Sequence, residues 1–260
     1  MLDGNRAELL RKDFLNLLDE ELSEQKYQDF LEHNTELIPR EFLQNHGVHF
    51  DLVVRKLSLG GNYTTDFFYM SKSSGDWNLV FVEIEKPQSR YFKNAKGELH
   101  VDFLKALDQI SRWRIWFDNP SNRNAFIDNT IAPIRVPVPM RRNPCHLKYV
   151  LVHGRRNEFE GNEVKTGLIR SKETNDFKIL SYDSLVEALN ARAPLYVSIR
   201  RNEYFDIVSP VFAGQNLFIW VERSHLRIND ALRKNILDSQ SALGFGVSLS
   251  KKLQNIGRCP

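Results

Sequence analysis

The sequence predicts an α/β fold, and three observations carry that expectation. Apolar residues at helical spacing fill the first forty positions, β-rich runs joined by short turns follow from about residue 48, and a long amphipathic helix and a further buried strand come after them. The 260 residues are 42% hydrophobic and 11% aromatic, enough for a sizeable core in one elaborated domain. These values exclude a disordered, collagenous or coiled-coil chain.

Each element has a local reason. Leu9, Leu10, Phe14, Leu17 and Leu18 define a first helix, and Ser23 is placed to cap a second one with an apolar face of Tyr27, Phe30 and Leu31, stopped by Asn34. Residues 48–58 form the first strand, and Gly60-Gly61-Asn62 turns the chain. Residues 63–70 and 77–85 are two more strands, joined by Ser73-Ser74-Gly75-Asp76. That four-residue loop sets a register in which Met70 pairs with Leu79, Phe68 with Phe81 and Asp66 with Glu83. Glu85 shares the face of Glu83 because strand side chains alternate, and Pro87 ends the strand. A polar and basic loop follows at residues 88–98. Leu104, Leu107, Ile110, Trp113 or Ile115, and Phe117 then mark an amphipathic helix that closes at Asp118-Asn119-Pro120. Four prolines within 131–144 make that stretch an extended connection or an edge strand. Residues 147–153 read as a buried strand ended by Gly154, residues 177–181 as another, and Asp183 or Ser184 as the cap of a helix to about residue 191. In the tail, 204–208 and 217–221 read as strands, 229–237 as a helix and Gly244-Phe245-Gly246 as a turn. The organisation is a helical segment over 1–40 packed on a core over 41–195, with an α+β extension over 196–260.

Charge and composition narrow the function. The net charge of +3 hides an acidic start, since residues 1–40 hold ten acids against five bases. The basic remainder, with pairs at Arg141-Arg142, Arg155-Arg156 and Arg200-Arg201, suits a polyanionic partner such as nucleic acid. No apolar run approaches the roughly 20 residues of a membrane span, and the acidic start is unlike a signal peptide, so a cytoplasmic protein is expected. Cys145 and Cys259 make no disulfide framework and no zinc-spaced cluster, so any metal is expected on oxygen ligands.

The hairpin concentrates carboxylates. Asp66, Glu83 and Glu85 share one patch, and Leu79 and Phe81 on the same face imply partial burial. Buried carboxylates repel one another unless a cation resolves the repulsion. Mg²⁺ or Mn²⁺ is the cation that few carboxylates, waters and a phosphate hold together, and phosphate ester hydrolysis is its natural chemistry. The alternative is that both glutamates lie on the solvent face of an edge strand, paired with lysines such as Lys86. Trp113 and Trp116 read as packing residues, His153 as structural, and Glu32 and Glu36 as surface carboxylates rather than additional site acids.

These residues also carry a resemblance. A helix, a strand, an Asp at the start of a hairpin, Glu-x-Lys-like residues on its second strand and a following helix resemble the PD-(D/E)xK superfamily of restriction-endonuclease-like nucleases. Within it, the fragments 30–38, Phe81-Val-Glu-Ile-Glu-Lys-Pro87, 91–98, Gln109–Trp116, His153-Gly-Arg-Arg156 and 179–183, in this order and spacing, are similar to the nuclease domain of the Shedu antiphage-defence proteins over about residues 25–190. The resemblance implies a core of helix, three-stranded meander, helix and strand. It also implies a Mg²⁺-dependent DNA endonuclease acting in bacterial defence, in which Asp66 and Glu83 are the metal-binding acids. The pattern asks for lysine two residues after Glu83, where Glu85 stands, and Lys86 would point away from the metal in a regular strand. Either a bulge turns Lys86 inward, or Glu85 is a ligand and another cation serves, with Lys105 the first candidate. Gln109 resembles the glutamine that supports the active site in several branches of the superfamily. Lys105 lies one turn before it on the same helical face. Arg155 and Arg156 would meet phosphates, and a homo-oligomer is expected. Two readings compete: a nucleic-acid-binding or DNA-end-sensing module of the same fold that no longer cuts, and an acid-rich hairpin in a protein-interaction domain.

Overall fold

The first helix shows how sequence becomes packing here. Ala7, Leu10, Phe14 and Leu18 recur every three or four residues and are buried along α1 (Gly4–Leu18), while Leu9, which periodicity also admits, is 60% exposed. The structure, a computed structural model, describes residues 4–44, 47–187, 189, 192–243, 253 and 256–259. The predicted turn at Gly244-Phe245-Gly246 lies outside them. The chain forms two compact units, each assembled from three separate stretches.

The first unit comprises Met1–Phe42, Val80–Asn119 and Leu147–Ala193. In it α2 (Glu24–His33) follows Ser23, whose backbone is extended as a cap requires but whose hydroxyl makes no capping bond; Asn34 ends the helix. Phe14 stacks on Phe30 at 5.6 Å and meets Tyr182 at 6.3 Å, which seats both helices on the same aromatic cluster. The strands run in the order β5 (Phe177–Leu180), β4 (Cys145–Val152) and β3 (Trp77–Ile84). β4 and β5 are parallel, with Tyr149 opposite Phe177. Facing them is α3 (Val101–Asp118), which buries Phe103, Ala106, Ile110, Trp113 and Phe117. The expected face is therefore corrected in its first two turns. Leu104 is 48% exposed, because the larger Phe103 ring takes the inner position against Tyr91 at 5.1 Å and His153 at 5.2 Å. Sequence reading passed over α6 (Glu163–Arg170), capped by the Asn162 side chain. It also expected a helix from Asp183 to 191, where a 3-10 turn runs from Tyr182 to Val186. The Asp183 carboxylate is engaged instead by Arg155 Nε at 2.9 Å and the Arg156 N–H at 2.7 Å, so it caps nothing.

The second unit comprises Leu43–Leu79, Pro120–His146 and Pro194–Pro260. Its strand order is β2 (Tyr63–Lys72), β1 (Leu52–Leu59), β6 (Tyr196–Arg201), β7 (Tyr204–Ile207), β8 (Leu226–Ile228) and β9 (Gly257–Arg258). β1 and β2 are antiparallel, joined by Gly60 and Gly61 at φ of +62° and +83°, values that glycine adopts freely. The turn after β2 closes as expected: the Ser73 N–H donates to the Asp76 carbonyl at 2.9 Å, and the chain passes into β3 and through it to the first unit. The prolines of 131–144 do not keep the segment wholly extended, since Val138–Arg141 is a short helix, α5. Leu217–Val221, expected as a strand, is mostly α7 (Asn216–Trp220); Leu217 and Phe218 are adjacent and both buried, which a half-buried strand does not allow. Sequence reading also missed α4 (Pro120–Ile131), whose start at Pro120 is a favoured helix opening as well as a stop for α3. The helix expected at 229–237 is α8 (Asp230–Leu243).

Candidate functional site

Glu83 and Gln109 meet inside the first unit. Glu83 is 7% exposed on a strand whose residues are all buried, and a carboxyl at that depth needs hydrogen-bond donors. Gln109 on α3 supplies one: its amide nitrogen donates to Glu83 Oε1. Because the nitrogen makes this contact, Gln109 orients the carboxylate through a donated bond.

The same strand and helix bring a second set together. Two strand residues from Glu83 to Glu85 rise about 6.6 Å, and one helical turn back from Gln109 to Lys105 rises about 6 Å, so the two elements keep step as they run in opposite directions. Glu85, Lys86, Gln88, Ser89, Asp102 and Lys105 line one cleft of about 370 Å³. β3 ends at Ile84, and this changes the expectation for Lys86. The Glu85 N–H still donates to the Val152 carbonyl at 2.9 Å, but the Ser89 N–H turns back to the Lys86 carbonyl at 3.0 Å. Strict alternation has lapsed, and Glu85 and Lys86 reach the same cleft as Lys105.

The loop carrying Lys86 is anchored along its length. The Tyr182 hydroxyl donates to the Glu85 carbonyl at 2.5 Å, and the Gln88 amide donates to the Glu20 carbonyl at 2.7 Å and to the Tyr27 hydroxyl at 3.0 Å. The Tyr91 and Phe92 N–H groups both donate to the Glu158 carboxylate, at 2.7 and 2.9 Å. Gly154, at φ +54°, lets this loop approach so closely that a Cβ there would lie 2.5 Å from the Ser89 carbonyl oxygen. His153 beside it is fully buried, 3.3 Å from the Arg90 carbonyl through Nε2 and packed on Tyr91 at 4.7 Å. Burial pushes its pKa down to about 4, so it is neutral near pH 7 and serves the scaffold.

Asp66 belongs to the second unit. It is 4% exposed, and Lys56 Nζ reaches its Oδ1. Arg55 pairs with Phe67 and Leu57 with Thr65, which sets Lys56 directly opposite Asp66. Lys56 has φ +46°, a left-handed conformation inside a strand that a lysine adopts only at a cost. Sequence reading missed this residue, although a signal was present: a three-residue turn at Gly60-Gly61-Asn62 pairs Leu59 with Tyr63, and counting back reaches Lys56 and Asp66.

The remaining sequence candidates fall in other settings. Arg155 pairs with Asp19 and Asp183, each at 2.9 Å, and Arg156 pairs with Glu187. Glu36, read as a surface acid, is 4% exposed, whereas Glu32 is half-buried and accepts from Gln28 at 3.0 Å. Trp113 is fully buried, and Trp116 packs edge-on against Phe117 at 4.8 Å. Among the described residues, no group of three or more His, Cys, Asp or Glu side chains is gathered closely enough to hold a metal ion. The oxygen donors at this strand end are Glu83, held by Gln109, and Glu85, in the cleft; donors of that chemistry suit a hard cation that keeps most of its water ligands. Nor, among those residues, is any helix long and apolar enough to cross a membrane.

A family model described as Shedu protein SduA, C-terminal, matches residues 21–186, a span that includes Asp66, Glu83, Glu85, Lys86, Lys105 and Gln109. Comparison with curated proteins gives no significant match.

Proposed function

Because the chain belongs to the Shedu family of antiphage-defence proteins, we propose that it is a metal-dependent DNA endonuclease, hydrolysing phosphodiester bonds by nicking or by cutting both strands. The observation that carries this reading is the step from the Glu83–Gln109 contact to the cleft of Glu85, Lys86 and Lys105 one helical turn away. The chain order supports the reading: helices, then β1 to β3, then α3 and, after α4 and α5, β4.

Glu83 and Glu85 would hold Mg²⁺ or Mn²⁺. Asp66 enters the proposal through the hairpin register read from the sequence. When bound, the cation would lower the pKa of a water and offset charge developing on the phosphodiester. Gln109 positions Glu83. Lys86 and Lys105 would hold a phosphate oxygen and stabilise the attacking hydroxide, which the lysine of the superfamily pattern otherwise does. Arg155 and Arg156 would reach phosphate only by giving up their present carboxylate partners. On the same family premise the chain would act as a homo-oligomer in the cytoplasm, so that paired sites can cut both strands.

Nicking of supercoiled plasmid with Mg²⁺ or Mn²⁺ tests this, comparing the wild type with Glu83→Ala and Asp66→Ala. Loss of nicking in both variants is expected, and cleavage surviving both substitutions would sink the site. The alternative is a nucleic-acid-binding or DNA-end-sensing module that no longer cuts, favoured by the glutamate at position 85 where the pattern has lysine. It predicts DNA binding that weakens steeply with salt and no cleavage with any divalent ion.

A further inference from the structure

The two units differ in charge. The second carries 16 lysines and arginines against 9 acids, whereas the first carries 20 against 24. A net surplus of that size makes the second unit the one suited to a polyanion, and its outer strands show where.

β6 and β7 form a tight hairpin. Its two-residue turn is Asn202-Glu203, with Asn202 at φ +45°, a left-handed value that asparagine tolerates. The register pairs Arg201 with Tyr204 across the hairpin and Asp206 with Arg227 across β7 and β8. Alternation then puts Arg201, Tyr204, Asp206 and Arg227 on one face. The Arg227 guanidinium lies 3.7 Å over the Tyr204 ring. Arg201 has its side chain 65% exposed and lies 3.7 Å from Asp206, a carboxylate only 9% exposed. His225 Nδ1 meets the Glu203 carbonyl at 2.6 Å, which ties the β8 approach to the hairpin turn.

This arrangement has a chemical consequence. A guanidinium stacked on an aromatic ring loses its rotational freedom yet keeps its edge N–H donors, and that planar fork matches phosphate oxygens. The acid on this face is nearly buried beneath the arginines, so it orients Arg201 without presenting negative charge to an approaching partner.

We propose that the β6–β8 face is a nucleic-acid-binding surface that grips the phosphate backbone through Arg201 and Arg227, with Tyr204 holding Arg227 in place. The proposal takes the DNA-directed reading as its premise but makes no use of the carboxylates of the first unit, so binding can be tested without cleavage. The test is fluorescence anisotropy of a labelled DNA duplex with the full-length chain in EDTA, titrated at several KCl concentrations. The Arg201→Ala/Arg227→Ala variant is expected to bind about tenfold more weakly, with the log–log salt slope smaller by about two, one per lost phosphate contact. Arg201→Gln alone, at the exposed end of β6, keeps a polar side chain beside Asp206 and should lower the slope by about one. Tyr204→Leu should weaken binding while leaving the slope unchanged, because both charges remain. Arg112→Ala, an exposed arginine of the first unit paired with Asp108, should bind as the wild type does. Wild-type affinity and slope in Arg201→Gln and in the double variant would overturn the proposal. So would wild-type protein that ignores DNA at low salt but binds phosphatidylserine vesicles. Failure of plasmid cleavage with these binding effects intact would overturn the nuclease reading and leave this surface standing.

Discussion

Replacing Gly154 with alanine is expected to destabilise the protein by about 2–5 kcal/mol, the sum of two costs. The first is conformational: φ is +54° at this position, and an L-residue with a side chain pays about 1–2 kcal/mol there. The second is steric, since the new Cβ would sit 2.5 Å from the Ser89 carbonyl oxygen and 2.9 Å from Tyr91 Cε2. Backbone and a buried ring must both give way, and overpacking of that kind costs about 1–3 kcal/mol. Gly161 supplies the internal control: its φ is +74°, but no atom lies within 4 Å of the position its Cβ would occupy. Gly161→Ala should therefore show only the first cost. Urea unfolding followed by tryptophan fluorescence measures both variants against the wild type. Ser89 lines the cleft and closes the turn on Lys86, so Gly154→Ala should also impair DNA cleavage where Gly161→Ala does not. Equal losses of stability in the two variants, or a loss below about 0.5 kcal/mol for Gly154→Ala, would refute the close-approach argument.

Two further outcomes follow from buried and strained groups. His153 has a folded-state pKa near 4 against an ordinary value of about 6.5, so the unfolded chain binds the extra proton between these values. Stability is full above about pH 6.5 and falls by up to about 3 kcal/mol as pH drops toward 4, a dependence that urea unfolding at the two ends should find weakened in His153→Gln. At Lys56, alanine and glycine both remove the ammonium that meets Asp66, but only glycine adopts φ +46° without penalty. Lys56→Gly should therefore be more stable than Lys56→Ala by about 1 kcal/mol, and the reverse order in thermal unfolding would show that the left-handed backbone is not maintained.

Legibility in the sequence tracked the strength of the local signal. The Gly60-Gly61 and Ser73–Asp76 turns and the β-rich runs around them were readable because turn chemistry and alternation agree. The phase of α3 was not, since Phe103 and Leu104 both satisfy a helical repeat and only the aromatic cluster around Tyr91 decides between them. Helices α4 and α6 were hidden by polar composition, as little of either is buried: Thr130 and Ile131 in the former, Ile169 in the latter. At the site, Glu83, Glu85, Lys86, Lys105 and Gln109 could be nominated from pattern. The end of β3 at Ile84, which lets Glu85 and Lys86 line one cleft, depends on the turn that follows it and was not visible in the alternation itself.

The proposed cation site joins Glu83, on β3, to Glu85, just past the end of that strand at Ile84. Calorimetric titration of Mn²⁺ into the wild type, Glu83→Gln and Glu85→Gln tests it without recourse to cleavage. Glutamine keeps the shape of each side chain and removes its charge. Saturable binding in the wild type that is lost in Glu83→Gln and weakened in Glu85→Gln is the predicted result, and binding of equal affinity in all three proteins would contradict it.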